Sequence, residues 1–400
     1  MRALVSARLG ADFTRLWTAS AVSNVGDGVT LAAGPLLVAS LTSDPALVAG
    51  AALAQQLPWL LVAPLSGVYV DRLDRRRLVV VVNVLRGAAL AVLAAAVAAS
   101  AVSVPLVYAV FFLLGVGETL ADTAFGALLP ATVEPERLPA ANSRLTATAI
   151  LGNQIAAKPL GGWLFALGAA LPFAFDAVTF LVAAALTSAV RVAPAGRPAE
   201  AGGRSLRREV AAGVRWLWRH RLLRTLAASM AVSNVAFCAP FAVFALYAQQ
   251  RLHLTEVGYG VLLTAYGVGG LVGTALASRL QARLGARTLL RAGLVLETAT
   301  HAVLAATTHP LVAGGILIAF GVHSVIWGVI VATLFQRSVP DELRGRVGSV
   351  YQLTQIGGAA LGSLLGGLIA QAVAITTPFW AAALAMTVIT AVAWRPLAAA

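Results

Sequence analysis

The pentapeptide Ala21-Val-Ser-Asn-Val25 returns unchanged as Ala231-Val-Ser-Asn-Val235, 210 residues later in a chain of 400. Two further echoes keep nearly the same spacing. Arg72-Leu73 and Arg76 reappear as Arg283-Leu284 and Arg287, an offset of 211, and Val133-Glu-Pro-Glu-Arg-Leu138 is answered by Val339-Pro-Asp-Glu-Leu343. Three pairings at almost constant offset mean that one unit of about half the chain is written twice. Both pentapeptides lie inside long apolar runs, and the whole chain is 59% hydrophobic, only 11% charged and has a mean hydropathy of +0.85. A soluble domain carries about a quarter charged residues, so the solvent of this unit is lipid.

Apolar runs bounded by charge or by Gly and Pro fall at about 13–41, 45–70, 78–101, 104–130, 143–169, 171–190, 222–250, 257–278, 288–308, 310–336, 346–372 and 376–394. A spanning helix uses ~20 residues, so each run is long enough for one span and each copy of the unit holds six. An even number returns the chain to its starting side, which makes the two copies parallel repeats. The expected fold is an all-α membrane protein of twelve transmembrane helices in two parallel, pseudo-symmetric six-helix bundles. Residues 1–192 form the first bundle, 193–221 a cytoplasmic linker and 222–400 the second bundle. Within the linker Leu206, Val210, Val214 and Leu217 share one helical face while Arg207, Arg208, Arg215 and Arg219 lie mostly elsewhere, the pattern of an amphipathic helix on the inner membrane surface.

The formal charge of +13 would suggest nucleic acid in a soluble protein. Here 26 of the 29 basic residues fall on one side of the membrane or in the flanking helical turns, with only Arg251 opposite and Arg86 and Lys158 within spans. The positive-inside rule then places both termini in the cytoplasm and accounts for the charge without nucleic acid. The single cysteine, Cys238, excludes a disulfide framework, a cysteine metal cage and a CxxC redox site. The run opening at Phe13 is too long for a signal-peptide core and stays as the first span. No HExxH, GxSxG, Walker loop or acidic metal pair occurs, and Gly267 to Gly273 lies inside a span rather than after a strand. Gly269/Gly273 and Gly358/Gly362/Gly366 read as small-residue seams for close helix contact. No nucleotide-hydrolysing motif is therefore available as an energy source.

The loop Gly67-Val-Tyr-Val-Asp71-Arg72-Leu-Asp74-Arg75-Arg76-Arg77 resembles the signature GxxxDRxGRR of the major facilitator superfamily, with Asp74 in place of the second glycine. Ser23-Asn-Val-Gly-Asp27-Gly, Gly117-Glu118-Thr-Leu-Ala-Asp122 and Pro340-Asp-Glu-Leu-Arg-Gly-Arg346 extend the similarity along essentially the whole chain, toward bacterial proton-driven exporters of the enterobactin-exporter and macrolide-efflux type. One departure stands out: the exporters' GPxxGG-like element is here Lys158-Pro159-Leu160-Gly161-Gly162. The resemblance implies a monomer in the bacterial inner membrane, working by alternating access and driven by protons without an organic cofactor. Gly67, Asp71, Arg72, Arg75 and Arg76 would form a gate, with Asp71 as a latch favoured by a helix N-terminus.

Ionisable groups inside a span are expensive and are functional candidates by default. Asp27, Glu118, Asp122 and Glu297 are deep acids, while Asp176, four residues past Pro172, is expected to reach the outer interface. Depth at ~1.5 Å per residue pairs Asp27 with Lys158, and Arg86 with the Glu118/Asp122 couple. That couple is i, i+4 on one helix face, and one arginine cannot neutralise both carboxylates. Asp27, Glu118, Asp122, Arg86 and Lys158 are thus the candidate proton-coupling set. Ser20, Ser23, Asn24 and Thr30 form a polar stripe with Asp27, so the first span lines a hydrated cavity. Glu297 and His301, also i, i+4, read as a local pair. The substrate cavity is expected to include Asn24, Asp27, Trp17, Phe237, Phe241, His323 and Trp327. The leading function is proton-coupled export of a hydrophobic or amphipathic small molecule: a drug, an antibiotic or a siderophore. Its partners are that small molecule, protons and membrane lipid. A lysophospholipid flippase would share the fold, and a polytopic enzyme or sensor is opposed by short loops and the missing catalytic constellation.

Overall fold

A computed structural model describes residues 9–191 and 214–399; side chains at 63–72, 341–342, 344–346, 349 and 398–399 are outside the description. Helices account for nearly all of it, and no strand occurs among the described residues. In chain order they are α1 (Ala11–Leu41), α2 (Pro45–Arg72), α3 (Arg75–Ala98), α4 (Val104–Leu128), α5 (Leu138–Ala149), α6 (Ala157–Leu167), α7 (Leu171–Ser188), α8 (Arg221–Ala242), α9 (Phe244–Gln250), α10 (Glu256–Ala306), α11 (Pro310–Ser338), α12 (Asp341–Ala372) and α13 (Thr377–Ala393). Among the described residues nine helices are long and apolar enough to cross a membrane. Every apolar run of the sequence lies on helix, with three local departures.

The run expected at 143–169 begins earlier and comes in three pieces, α5, a π-helical turn at Ile150–Ala156, and α6. Pro159 has no N–H to give the carbonyl of Ile155, and its ring clashes there in a regular helix. The wider π turn absorbs the clash, and the orphan Ile155 carbonyl accepts from the Thr264 hydroxyl at 3.4 Å. The run at 222–250 breaks after Ala242 just past Pro240, with Val243 at φ −108°, ψ 11°. The runs at 257–278 and 288–308 are continuous as α10, interrupted by Gly285 at φ 75°, ψ 158°, a conformation open to glycine alone.

The chain divides into two compact units, one of Met1–Thr42, Ala54–Glu200 and Thr255–Thr264, the other of Ser43–Leu53, Ala201–Leu254 and Ala265–Ala400. In the first, α1 packs on α7 and α6, and α3 on α7 and α4. An apolar cluster of Leu9, Phe13, Leu16, Leu128, Leu129, Val133, Ala141 and Val190 closes one end. In the second, α8 packs along α12 and α13. The Gly358/Gly362/Gly366 seam lies against the backbone of Ala231, Val235 and Ala239, so a methyl at any of the three would overlap α8. The amphipathic helix expected in the linker lies outside the described residues except for its end, where 214–219 is helical.

Candidate functional site

Within the signature loop Asp74 caps α3 by accepting the Arg77 N–H at 2.9 Å. Arg75 donates to the Ala127 carbonyl at 3.3 Å, and Arg76 to those of Ser188 and Val190 at 3.3 and 3.2 Å. These are orphan carbonyls at the C-terminal ends of α4 and α7, where a cation is favoured. Of the other expected gate residues, Gly67 lies within α2, and the side chains of Asp71 and Arg72 lie outside the described residues.

In the first unit a cavity of about 160 Å³ is lined by Ser20, Ser23, Asn24 and Asp27 of α1, Asn83 and Arg86 of α3, and Glu118 and Asp122 of α4. Arg86 is buried, and its Nη2 meets Asp27 Oδ1 at 2.7 Å. The guanidinium carbon lies 4.0 Å from the centre of the Phe180 ring, and Nε has no hydrogen-bond partner among the described residues. Arg86 reaches Asp27 because α4 presents Gly117 beneath it, where a Cβ would stand 2.8 Å from both Cγ and Cδ of the arginine. A paired, desolvated guanidinium of this kind is worth holding, since removing one partner of a buried pair costs ~3–5 kcal/mol.

This overturns the depth-based pairing. Asp27 belongs to Arg86 and not to Lys158, which is buried on α6 with no ion pair among the described residues. Glu118 is half-buried and Asp122 exposed, and among the described residues neither carboxylate receives a side-chain hydrogen bond or an ion pair. Asp176 does not reach an interface: it is 1% exposed and accepts from Thr30 at 2.6 Å and Thr179 at 2.9 Å. Asn24 lines the cavity and donates to the Ser20 carbonyl at 2.8 Å. Trp17 belongs elsewhere, packed on the apolar end cluster with its indole N–H on Thr148 at 2.9 Å.

The second unit holds its own cavity, about 220 Å³, lined by Ser233, Asn234 and Phe237 of α8, Tyr266 and Glu297 of α10, and Phe320, His323 and Trp327 of α11. Glu297 accepts from Ser233 at 3.1 Å and faces His323 Nε2 at 3.6 Å. The expected local pair with His301 is not made, since both His301 ring nitrogens are buried with no hydrogen bond among the described residues. Phe241 stacks on Phe237 at 5.0 Å and faces a smaller pocket with His301.

The two cavities are repeats with opposite central charge. The offset of 210 carries Ser23-Asn24 onto Ser233-Asn234, and 211 carries Gln55 onto Tyr266 and Arg86 onto Glu297. Gly293 stands to His323 as Gly117 stands to Arg86, for its missing Cβ leaves room for the imidazole. Sequence reasoning missed Glu297, Tyr266 and Phe320 as cavity residues, although the repeat offset, applied to Arg86 and Gln55, points to two of them.

Nine long apolar helices among the described residues, with a polar cavity around a charged side chain in each unit, are the features of a multi-pass membrane transporter. The chain belongs to the family described as Transmembrane secretion effector, of the major facilitator superfamily, whose model matches residues 8–397. Among curated proteins the chain is 28% identical over 393 residues to multidrug efflux pump Tap of Mycolicibacterium fortuitum, covering 94% of this chain and 93% of that one. It is 29% identical over 373 residues to the uncharacterized MFS-type transporter Rv0037c of Mycobacterium tuberculosis, covering 85% and 80%. Solved structures share the fold: nucleoside transporter NupG has a TM-score of 0.76 at 12% identity, covering 97% of this chain and 99% of that one. An inward-facing bacterial homologue of the iron transporter ferroportin has 0.76 at 20%, covering 96% and 98%.

Proposed function

We propose that this chain is a proton-driven exporter of hydrophobic or amphipathic drugs in the bacterial inner membrane, with both termini cytoplasmic. The observation that carries the reading is the Glu118/Asp122 couple: two carboxylates on one cavity wall, neither held by a hydrogen bond or an ion pair among the described residues, beside the Arg86–Asp27 pair. Such groups can take up and release a proton without dismantling a structural contact. The similarity to pumps named for multidrug efflux supplies the substrate class. Two bundles, 1–192 and 222–400, alternate in opening the path, and the 193–221 segment tethers them; the chain works as a monomer surrounded by lipid and uses no organic cofactor.

Expression in a bacterium lacking its major drug pumps is expected to lower ethidium accumulation several-fold, and a protonophore is expected to restore it. Unchanged accumulation with the protein present in the membrane would reject the reading. The orientation has its own test. With Cys238 replaced by serine, Arg207→Cys is expected to be shielded from a membrane-impermeant maleimide in intact cells and labelled after lysis. Labelling from outside would invert the topology.

A further inference from the structure

On α8, Ser233, Asn234 and Phe237 face the polar cavity of the second unit, while Val235 and Ala239 face a larger space on the other side of the helix. This space is a groove of about 560 Å³, floored by α8 and walled by α12, from Leu353 to Ile369, and by Ala381 and Ala385 of α13. Among the described residues the only side-chain oxygen on its lining is the Thr354 hydroxyl, which already donates to the Tyr351 carbonyl at 2.7 Å. Water stays out of such apolar space, and whatever part of a ligand enters it is hydrocarbon. The shape narrows the choice. Along α12 the lining runs ~24 Å at ~1.5 Å per residue, so the volume leaves a mean cross-section of about 23 Å², a channel about 5 Å wide. A helix ~10 Å across does not fit that width. A single hydrocarbon chain does, since its non-bonded carbons approach others to ~4 Å. The mouth opens toward lipid: Leu353, Leu361 and Leu365 are exposed along its rim, on a helix apolar enough to span the membrane.

Charge marks one end of the groove. Arg221 and Arg224 open α8 on the helical face that lines it, with Arg224 about two turns before Ala231 and Arg221 about three turns before Val232. Arg395 follows α13 at the same end, where Leu397 and Leu223 share one apolar cluster. Neither α8 nor α13 contains an acid to neutralise these arginines. Arg224 stacks on the exposed ring of Trp218 at 5.4 Å, and exposed tryptophan belongs at the level of lipid headgroups. We propose that the groove holds one acyl chain of an anionic phospholipid, with the phosphate among Arg221, Arg224 and Arg395 and the chain running between α12 and α13. Basic residues at a membrane surface attract anionic lipid, and the groove converts that attraction into a site. It shares no lining residue with either polar cavity, so the lipid is a ligand distinct from what those cavities take.

Gly357 lines the groove, and a Cβ there would meet nothing within 4 Å, whereas one at Gly358 would press on the Ala231 carbonyl at 2.9 Å. A bulky side chain at 357 therefore fills the groove without displacing α8. The purified full chain in detergent is given dipalmitoyl phosphatidylglycerol or dipalmitoyl phosphatidylcholine, bound lipid is counted by native mass spectrometry, and thermal unfolding is followed alongside. Wild type is expected to hold one phosphatidylglycerol several-fold more tightly than phosphatidylcholine. Gly357→Phe, with Gly357→Leu as the smaller companion, is expected to lose that lipid by about tenfold or more while melting no lower than lipid-free wild type. Leu384→Phe, which adds the same ring at an exposed position of α13 outside the groove, is expected to keep it. Arg221→Gln combined with Arg224→Gln is expected to bind the two lipids equally. Undiminished lipid in both Gly357 variants, equal loss in Leu384→Phe, or no headgroup preference in wild type would each overturn the proposal. So would a Gly357 variant that keeps the lipid and loses ethidium binding, since the groove would then belong to the substrate path.

Discussion

Arg86→Met is expected to abolish transport and to lower the melting temperature of the purified protein, whereas Arg86→Met with Asp27→Asn melts close to wild type and still does not transport. The single change strands the Asp27 carboxylate, which is held by Arg86 at 2.7 Å, and leaves the three acids that line this cavity without a cation among its described lining residues. Breaking one side of a buried pair costs ~3–5 kcal/mol, while replacing both partners by neutral groups is often near neutral. Thermal unfolding in detergent together with uptake in proteoliposomes separates the two effects. Transport by a well-folded double variant would show that the pair is a strut and nothing more.

Glu118→Gln is expected to lose uphill export under an imposed pH gradient by at least tenfold while retaining drug binding and stability, and Asp122→Asn is the companion test. The contrast with Arg86 follows from the contacts. Neither carboxylate holds a hydrogen bond or ion pair among the described residues, so neutralising it removes no direct structural contact, and the melting temperature is expected to stay close to that of wild type. Substrate exchange without a gradient should continue, since only the proton site is gone. Full pH-driven export by both variants would move the search to Asp27 and Lys158.

Apolar runs, the internal repeat and the charge asymmetry made the helical, lipid-embedded fold legible, because burial in hydrocarbon constrains composition over ~20 residues at a time. Contacts between spans were another matter. Depth along a helix follows from counting, but successive residues turn by 100°, so Asp27 and Lys158 at one level can face different neighbours. The same blindness sent Asp176 to the interface, although the Thr30 and Thr179 hydroxyls hold it inside. It also paired Glu297 with His301 on its own helix, although Ser233 of α8 and His323 of α11 both face its Oε2. The arginines of the signature loop were read as gate parts; Arg75 and Arg76 bond to the ends of α4 and α7, contacts that no motif spells out.

The exchange of Arg86 for Glu297 at the matching position of the repeat bears on how such a protein can arise. Two identical subunits related by symmetry must carry the same residue at equivalent positions, so a homodimer of this six-span unit would own either two pockets built round an arginine or two built round a glutamate. Joining the copies in one reading frame freed each to change alone. The covalent fusion is therefore what allows one molecule to keep a guanidinium at the heart of one pocket and a carboxylate at the heart of the other.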